Sequence, residues 1–294
     1  MASASGQVTA IDSYRRFFAE EIRACAGIRN DAVVDAFAAV PRERFLGPGP
    51  WITKSEADLG GPPRQTPDAD PRRVYHNVAL AIDPARQLFN GQPSTLGVWI
   101  DALDIGPGAR VLHIGAGLGY YSAILAHIVE GGGRVVAVEV DEGLARLARA
   151  NLQRFGWVEV RHDDGAAAPG ESFDAILVNA GATHPLEVWL DALAPNGRLV
   201  LPLTVSMPPG GPLGKGFVVL VTNNRDGRSM SVRLLPTMVM IYSAQRIRDE
   251  AAAAAMGNAF ARGLLGGIER LRRDRHDESA SCCLHTETFC LSST

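Results

Sequence analysis

Three glycines at alternate positions and a later acidic residue form the clearest chemical pattern in this sequence. Gly115, Gly117 and Gly119 follow the apolar run "VLHI", and Glu139 lies near the end of the next apolar run, "RVVAVEV". Glycines let a ligand approach the backbone closely, and a helix that follows them offers its N-terminal amides. A carboxylate about twenty residues further on can accept hydrogen bonds from both hydroxyls of a ribose. The pattern predicts a nucleoside site, and a solvated strand-end acid is the alternative for Glu139.

The spacing of the glycines separates two classes of cofactor. Dinucleotide-binding folds use G-x-G-x-x-G to hold a pyrophosphate, whereas this sequence has G-x-G-x-G followed by Tyr120 and Tyr121. A bulky tyrosine in place of the third dinucleotide glycine disfavours packing over a pyrophosphate. Asp164, in "DDG", could accept a hydrogen bond from the amine of an adenine, and the alternative is a loop acid that starts a turn. Ribose and adenine contacts without a pyrophosphate cradle point to S-adenosylmethionine.

The elements that must position these residues alternate along the chain. From residue 110, strand-like apolar runs alternate with helical periods, and the strand-like runs are VLHIG, RVVAVEV, VEVRH, FDAILVNA and RLVLPL. This alternation predicts an α/β fold with a doubly wound, parallel sheet that helices cover on both faces. FVVLVTNN and SVRLLPTMVM, joined through "NNRDG", predict an antiparallel pair that completes a mostly parallel, seven-stranded sheet.

Three segments follow from this pattern. Residues 1–92 contain two predicted helices and the loops expected on the substrate side, including a Gly-, Pro- and Asp-rich stretch that predicts an irregular loop at 46–73. Residues 93–242 form the predicted cofactor-binding core. Residues 243–294 contain a predicted alanine-rich helix and, after Arg273, a tail that we expect to be disordered.

Composition narrows the class of protein. The chain has 294 residues, of which 46% are hydrophobic and 21% charged, and its net charge is −3. These values are ordinary for a globular protein and give no electrostatic case for a nucleic acid partner. No apolar run reaches the roughly 18 residues of a membrane span, and the first residues lack the pattern of a signal peptide. The sequence therefore predicts a cytoplasmic protein with no membrane partner.

The cysteines raise the question of a metal site. Cys282, Cys283 and Cys290 lie with His285 in "SCCLHTETFC". Adjacent cysteines are poor partners in one tetrahedral site, and the C-x-x-C spacing of zinc ribbons is absent. The sequence therefore favours a loose tail with free thiols, and no metal, over a metal site.

At this point the sequence resembles the class I S-adenosylmethionine-dependent methyltransferases, and more narrowly the protein-L-isoaspartate O-methyltransferase family, over about residues 28–240. The V-P-R-x-x-F and A-G-A pieces of the resemblance are more specific than the glycine turn. The segments that carry it are IRNDAVVDAFAAVPRERFL, VLHIGAGLGYYSAILAHIV, FDAILVNAGA, LAPNGRLVLPL and VRLLPTMV.

The resemblance assigns roles to particular positions. It places the family's cofactor turn on Gly115, Gly117 and Gly119, its ribose acid on Glu139 and its acid next to adenine on Asp164. His113 stands where the family has an acid that helps to hold the amino group of the cofactor. The resemblance therefore places His113 at the cofactor, and a strand histidine satisfied by a backbone partner is the alternative.

The substrate side is the least family-like part of the sequence. The family's Q-T-I-S segment falls on "GQPS", Gly91 to Ser94, where only Ser94 matches. Ser94 could orient a substrate carboxylate, and the alternative is an N-cap for a helix at 95–104. His76 and His184 are further candidates near predicted strand ends, with a surface histidine as the alternative for each.

The chemistry implied by the resemblance needs few titratable groups. A carboxylate nucleophile is ionised at pH 7, so in-line methyl transfer depends mainly on alignment. The resemblance implies a carboxyl O-methyltransferase that acts on L-isoaspartyl residues of damaged proteins or peptides. Two alternatives stay open: a tailoring methyltransferase for a peptide or small molecule, and a non-catalytic module that binds S-adenosylmethionine.

Overall fold

The computed structural model describes residues 10–58, 61–167, 169–206, 213–244 and 247–294. The helices in these ranges are α1 (Ala10–Ala26), α2 (Asp31–Ala39), α3 (Pro93–Leu103), α4 (Tyr120–Val129), α5 (Glu142–Leu152), α6 (Glu187–Asp191) and α7 (Glu250–Ala261). The strands are β1 (Ile52–Lys54), β2 (Arg64–Gln65), β3 (Ala79–Asp83), β4 (Leu88–Phe89), β5 (Arg110–Ile114), β6 (Arg134–Glu139), β7 (Val158–His162), β8 (Phe173–Val178), β9 (Leu193–Ser206), β10 (Leu213–Asn223), β11 (Met230–Tyr242), β12 (Arg270–Arg272), β13 (Cys282–His285) and β14 (Cys290–Ser292).

A ten-stranded sheet organises the molecule, in the order β13-β14-β12-β11-β10-β9-β8-β5-β6-β7. The strands from β5 to β9 pair in parallel, whereas β10 pairs antiparallel with both β9 and β11. Parallel pairing requires crossovers, and α4, α5 and α6 supply them. The predicted α/β fold, with its closing antiparallel pair, is confirmed, and three further strands extend the sheet.

Two hydrophobic clusters cover the two faces of this sheet. Side chains alternate along each strand, so Val111 packs with α1 to α5 while Leu112 and Ile114 pack on the opposite face. That opposite face is closed by Trp189 of α6, Met256 of α7 and the C-terminal strands. Burial on both faces explains why the central strands are almost continuously apolar in sequence.

A small second sheet stands beside the main one, in the order β2-β1-β3-β4. The predicted irregular loop at 46–73 is therefore partly wrong, because it contributes β1 and β2 as well as short 3-10 turns. The buried guanidinium of Arg42 holds this region by donating hydrogen bonds to the carbonyl oxygens of Val74, His76 and Val78 at 2.8–3.1 Å.

The expectation of a disordered tail after Arg273 is wrong. Residues 270–294, which we call the C-terminal extension, form β12, β13 and β14, and β12 pairs with the edge of β11. Leu271, Leu284 and Leu291 are buried there against α7. These strands have only three or four residues each, which is too short for an alternating pattern to appear in the sequence.

Among the residues that the structure describes, no helix is both long enough and apolar enough to cross a membrane.

Candidate active site

A cavity of about 790 Å³ opens at the carboxyl edge of the parallel strands. The ends of β5, β6, β7 and β8 form one wall, through Gly115, Glu139, Asp164 and Asn179. The small sheet and α3 form the opposite wall. Ligands bind at this edge in open α/β sheets because the chain reverses its winding direction there.

The glycine turn brings bare backbone to the cavity. Gly115 has φ +81° and Gly117 has φ +55°, in the left-handed region that other residues rarely adopt. A Cβ on Gly115 would lie 2.8 Å from the carbonyl oxygen of Asn179. Both glycines line the cavity, as the spacing in the sequence predicts for a close approach to a ligand.

Glu139 is locked in place by the turn that it faces. Its Oε2 accepts a hydrogen bond from the Gly117 amide at 2.7 Å, and its Oε1 accepts one from the Asp141 amide at 3.0 Å. The residue is only 7% exposed and lines the cavity. Because an ionised carboxylate has about four acceptor positions, two amides leave capacity for ligand hydroxyls.

Asp141 connects this carboxylate to α5 and to the small sheet. Its Oδ1 accepts from the Leu144 amide at 2.9 Å and so caps the helix, and its Oδ2 pairs with the Arg86 guanidinium at 2.6 Å. The Leu144 hydrogen bond and then Arg86 lower the pKa of Asp141. Because Arg86 follows β3 in the chain, the ion pair links the two walls of the cavity.

Asp164 lies in the loop after β7 and also lines the cavity. Its Oδ1 accepts a hydrogen bond from the Ala166 amide at 3.0 Å. Asp164 therefore starts a turn, and the same bond fixes where its carboxylate lies at the cavity, so the adenine contact stays a prediction.

Two predicted cofactor residues do not lie among the residues that line the cavity. Gly119 caps α4 with φ +90°, and a Cβ there would lie 2.8 Å from Leu152 Cδ1, so this glycine permits α4 to pack on α5. His113 is fully buried beneath α4, with Nδ1 hydrogen-bonded to Ser122 Oγ at 2.8 Å. Burial lowers the pKa of His113 to about 3, so the ring is neutral. The contacts that the structure shows for both residues are with the helices above the strand, and their contact with a cofactor stays a prediction.

The structure also corrects the alternative given for Ser94. The N-cap of α3 is Gln92, and Ser94 is the second residue of the helix. Its hydroxyl accepts a hydrogen bond from Gln92 Nε2 at 3.2 Å. Gln92 and Thr95 line the cavity, whereas Ser94 is not among the described lining residues.

His76 and His184 are placed elsewhere. His76 is exposed, and His184 stacks on Phe289 of the C-terminal extension with ring centroids 6.4 Å apart. Neither is among the described residues that line the cavity.

Sequence reasoning missed the polar residues of the opposite wall. Thr95 Oγ1 donates a hydrogen bond to Glu56 Oε2 at 2.7 Å, and the Glu56 amide donates to Gln92 Oε1 at 2.9 Å. Burial raises the pKa of Glu56, although the bond from Thr95 opposes this shift. Lys54 lies next to them at the cavity, with its ammonium hydrogen-bonded to the Gly61 carbonyl. Lys54 and Glu56 occupy a Gly- and Pro-rich stretch whose pattern gives no signal of a site.

Comparison with known proteins assigns the chain to a family. A sequence model described as Protein-L-isoaspartate(D-aspartate) O-methyltransferase (PCMT) matches residues 64–208. The protein-L-isoaspartate O-methyltransferase of Methylorubrum extorquens (strain PA1) is 38% identical over 188 residues, which cover 63% of this chain and 70% of that protein. The one from Methanopyrus kandleri is 32% identical over 194 residues, covering 64% of this chain and 76% of that protein. The chain belongs to the protein-L-isoaspartate O-methyltransferase family.

Solved structures agree on the fold. A protein-L-isoaspartate O-methyltransferase superposes with a TM-score of 0.63 and 22% identity, covering 86% of this chain and 71% of that chain. A Plasmodium falciparum structure described as a putative member, in complex with S-adenosyl-L-homocysteine, gives a TM-score of 0.58 and 18% identity over 79% of this chain and 98% of that chain.

The cofactor of this family member is S-adenosyl-L-methionine. The cavity fits it, because Gly115 and Gly117 leave a cradle that a Cβ would fill and Glu139 offers a fixed carboxylate beside it. The stretch that matches the family covers this whole wall of the cavity. The same stretch includes β3, β4 and α3 of the opposite wall, whereas Lys54 and Glu56 precede it.

Proposed function

We propose that this chain is an S-adenosyl-L-methionine-dependent O-methyltransferase that methylates the free carboxylate of L-isoaspartyl residues in proteins or peptides. One observation carries the proposal: a single cavity joins the glycine and carboxylate wall to a second wall with a lysine and a polar cluster. Family membership supports the substrate class, because the relatives are named for it.

The residues of the first wall would hold the cofactor. Gly115 and Gly117 present backbone to its amino acid arm, the carboxylate of Glu139 would accept from its ribose hydroxyls, and Asp164 would accept from its adenine amine. When bound, the cofactor supplies a methyl group on a positively charged sulfur. The chain therefore needs to align the two reactants rather than to activate a leaving group.

The residues of the second wall would orient the substrate. An isoaspartyl carboxylate is ionised at neutral pH and needs no general base. The ammonium of Lys54 provides a positive charge for that carboxylate, and Thr95 with Glu56 fixes the polar surface beside it. Phe45, Leu96 and Trp99 add apolar surface that excludes water, which strengthens the attraction between the charges. Ser94 then acts indirectly, by holding Gln92 at the start of α3.

Methyl transfer to a synthetic isoaspartyl peptide tests this function. The peptide is incubated with the protein and labelled cofactor, and the product is assayed for a base-labile methyl ester. A matched peptide with normal aspartate is the control. We expect ester formation on the isoaspartyl peptide alone. We also expect Lys54→Met to raise KM roughly tenfold with a smaller change in kcat, because a loss of about 1.4 kcal/mol of substrate binding corresponds to a factor of ten.

Two other results would contradict the proposal in different ways. Cofactor binding without any isoaspartyl ester would favour a tailoring methyltransferase with another acceptor. Cofactor binding with no methyl transfer to any peptide or small acid tested would favour a non-catalytic module.

A further inference from the structure

We propose that the C-terminal extension holds a structural zinc ion, coordinated by His276, Cys282, His285 and Cys290. Each of these residues offers one ligand atom, and the four atoms all lie within 4.8 Å of one another. The proposal concerns a part of the chain outside the active-site cavity and does not depend on the proposed methyl transfer.

The spacing of the four atoms is close to that of a tetrahedral zinc site. Zinc–sulfur bonds of about 2.3 Å and zinc–nitrogen bonds of about 2.0–2.1 Å place neighbouring ligands about 3.3–3.8 Å apart. Cys282 Sγ and His276 Nε2 are already 3.7 Å apart. If the two ligand atoms that lie furthest apart move about 1 Å closer, the four atoms reach tetrahedral spacing. Rotation of the side chains alone can provide this movement.

The fold brings these residues together from well-separated positions. His285 and Cys290 are paired residues at the turn end of the β13–β14 hairpin, where the Thr286 amide and hydroxyl donate hydrogen bonds to the Phe289 carbonyl at 3.0 and 2.8 Å. Cys282 and His285 are three apart, which on a regular strand would place them on opposite faces. The register irregularity between Cys282 and Leu284 restores a common face.

Hydrogen bonds around the cluster prepare the ligand atoms. The carbonyl of Asp274 accepts from His276 Nδ1 at 2.8 Å, which leaves the lone pair on Nε2 toward Cys282. The amide of Ser279 donates to Cys282 Sγ at 3.3 Å. An outer hydrogen bond that fixes the tautomer of a histidine is the usual companion of a metal ligand.

His285 supplies a separate sign that a partner is missing from this hairpin. Its Nδ1 is buried and has no hydrogen-bond partner among the described residues. Its ring lies 4.8 Å from the ring of His276, centroid to centroid, in an edge-on arrangement. A buried imidazole nitrogen without a partner is costly, and a cation bound to the cluster would remove that cost if this nitrogen ligated it.

The donor set selects the metal. Two thiolates and two neutral imidazoles balance the charge of a divalent cation and suit zinc in a closed tetrahedral site. Binding releases the two thiol protons. The sequence favoured free thiols because Cys282 and Cys283 are adjacent, but the structure places only one of them in the cluster.

Metal analysis of the full-length, tag-free protein tests the site. We expect about one zinc per chain after purification, and Co²⁺ in its place should give the visible bands of a tetrahedral ion together with sulfur-to-cobalt charge transfer. Cys282→Ser and His276→Asn should lose the zinc. Cys283→Ser and Cys25→Ser are matched controls outside the cluster, and both should keep it.

Three results would overturn the proposal. The first is wild-type protein that takes up neither zinc nor cobalt when reduced. The second is a disulfide between Cys282 and Cys290, detected by mass spectrometry in protein that has been reduced and then supplied with zinc in the absence of oxygen. The third is equal loss of zinc from the control variants. If a cluster variant fails to fold, the cobalt spectrum of the wild-type protein still decides between coordination by sulfur and adventitious binding.

Discussion

Glu139 combines two roles in one carboxylate. Its oxygens accept from the amides of Gly117 and Asp141, so it shapes the glycine turn as well as facing the cavity. A carboxylate already held by two amides is rigid, and a rigid acceptor loses little entropy when a ligand hydroxyl joins it. Its side chain is therefore suited to accept hydrogen bonds from the hydroxyls of a sugar.

We predict that Glu139→Ala weakens cofactor binding by roughly 10- to 100-fold, because hydrogen bonds to a charged group contribute about 1.5–3 kcal/mol each. Calorimetric titration with S-adenosyl-L-methionine measures the effect. Glu142→Ala removes an exposed acid at the start of α5 and should bind as the wild type does. Equal affinity in wild type and Glu139→Ala, with both proteins folded, would refute the ribose assignment.

His113 makes the stability of the fold depend on pH. The folded chain keeps this imidazole neutral down to a pKa of about 3 because it is buried, whereas an unfolded chain protonates it below about pH 6.5. The unfolded state therefore binds more protons between these values, and stability falls as the pH drops.

We predict that the free energy of unfolding falls by about 2 kcal/mol more in the wild type than in His113→Gln between pH 7 and pH 5. Urea unfolding at the two pH values measures the difference. His127→Gln removes an exposed histidine from α4, the helix that covers His113, and serves as the control. Parallel loss of stability in wild type and His113→Gln would show that this imidazole becomes protonated without unfolding.

At the scale of elements, the turn after α2 shows how a sequence motif can serve the fold. Arg42 is fully buried, and its guanidinium lies over the rings of Phe18 and Tyr120 while it binds three carbonyls of the 74–78 segment. The V-P-R-x-x-F piece of the resemblance thus joins the N-terminal helices to the small sheet. This sheet in turn carries the substrate wall of the cavity.

We predict that Arg42→Lys lowers the free energy of unfolding by roughly 2–4 kcal/mol, because a lysine cannot replace a planar fork that reaches several carbonyls at once. Denaturant titration measures the loss. Arg44→Lys, at an exposed position of the same turn, should change stability by less than about 0.5 kcal/mol. A similar effect of both substitutions would mean that the buried hydrogen bonds contribute nothing specific.

The cofactor wall was predictable from sequence because its geometry is local. Each strand of a parallel sheet delivers the residue at its carboxyl end to the same edge, so spacing alone predicts that Gly115, Glu139 and Asp164 lie together, and all three line the cavity. The substrate wall was not predictable, since Lys54 and Glu56 reach the cavity only through long-range pairing of β1 with β3. The resemblance placed His113 at the cofactor, whereas alternation along β5 turns its side chain toward α4.

At the scale of the whole molecule, the parallel strands of the sheet form the cavity, whereas the strands of the C-terminal extension complete the fold. The cavity is built from residues up to Ile247 among those described, whereas the C-terminal extension covers the second hydrophobic face and the edge of β11. Phe289 of the extension stacks on His184, in the loop after β8, and this is a direct contact between the extension and the core. We therefore infer that the extension stabilises the fold without forming the cofactor site.

We predict that a chain ending at Glu269 binds S-adenosyl-L-methionine within about threefold of the full-length affinity, but unfolds more easily and self-associates. Truncation removes Leu271, Leu284, Phe289 and Leu291, each of which contributes roughly 1.5–3 kcal/mol by burial. It also leaves the backbone of β11 unpaired at Met230 and Ser231, and an open edge beside an exposed apolar face promotes association.

Light scattering, thermal unfolding and calorimetry on the two chains measure these effects, with full-length Cys283→Ser as a control for handling of the thiols. A truncated chain that stays monomeric at unchanged stability would show that the extension is dispensable for the fold, and one that is folded yet fails to bind would place part of the cofactor site within it.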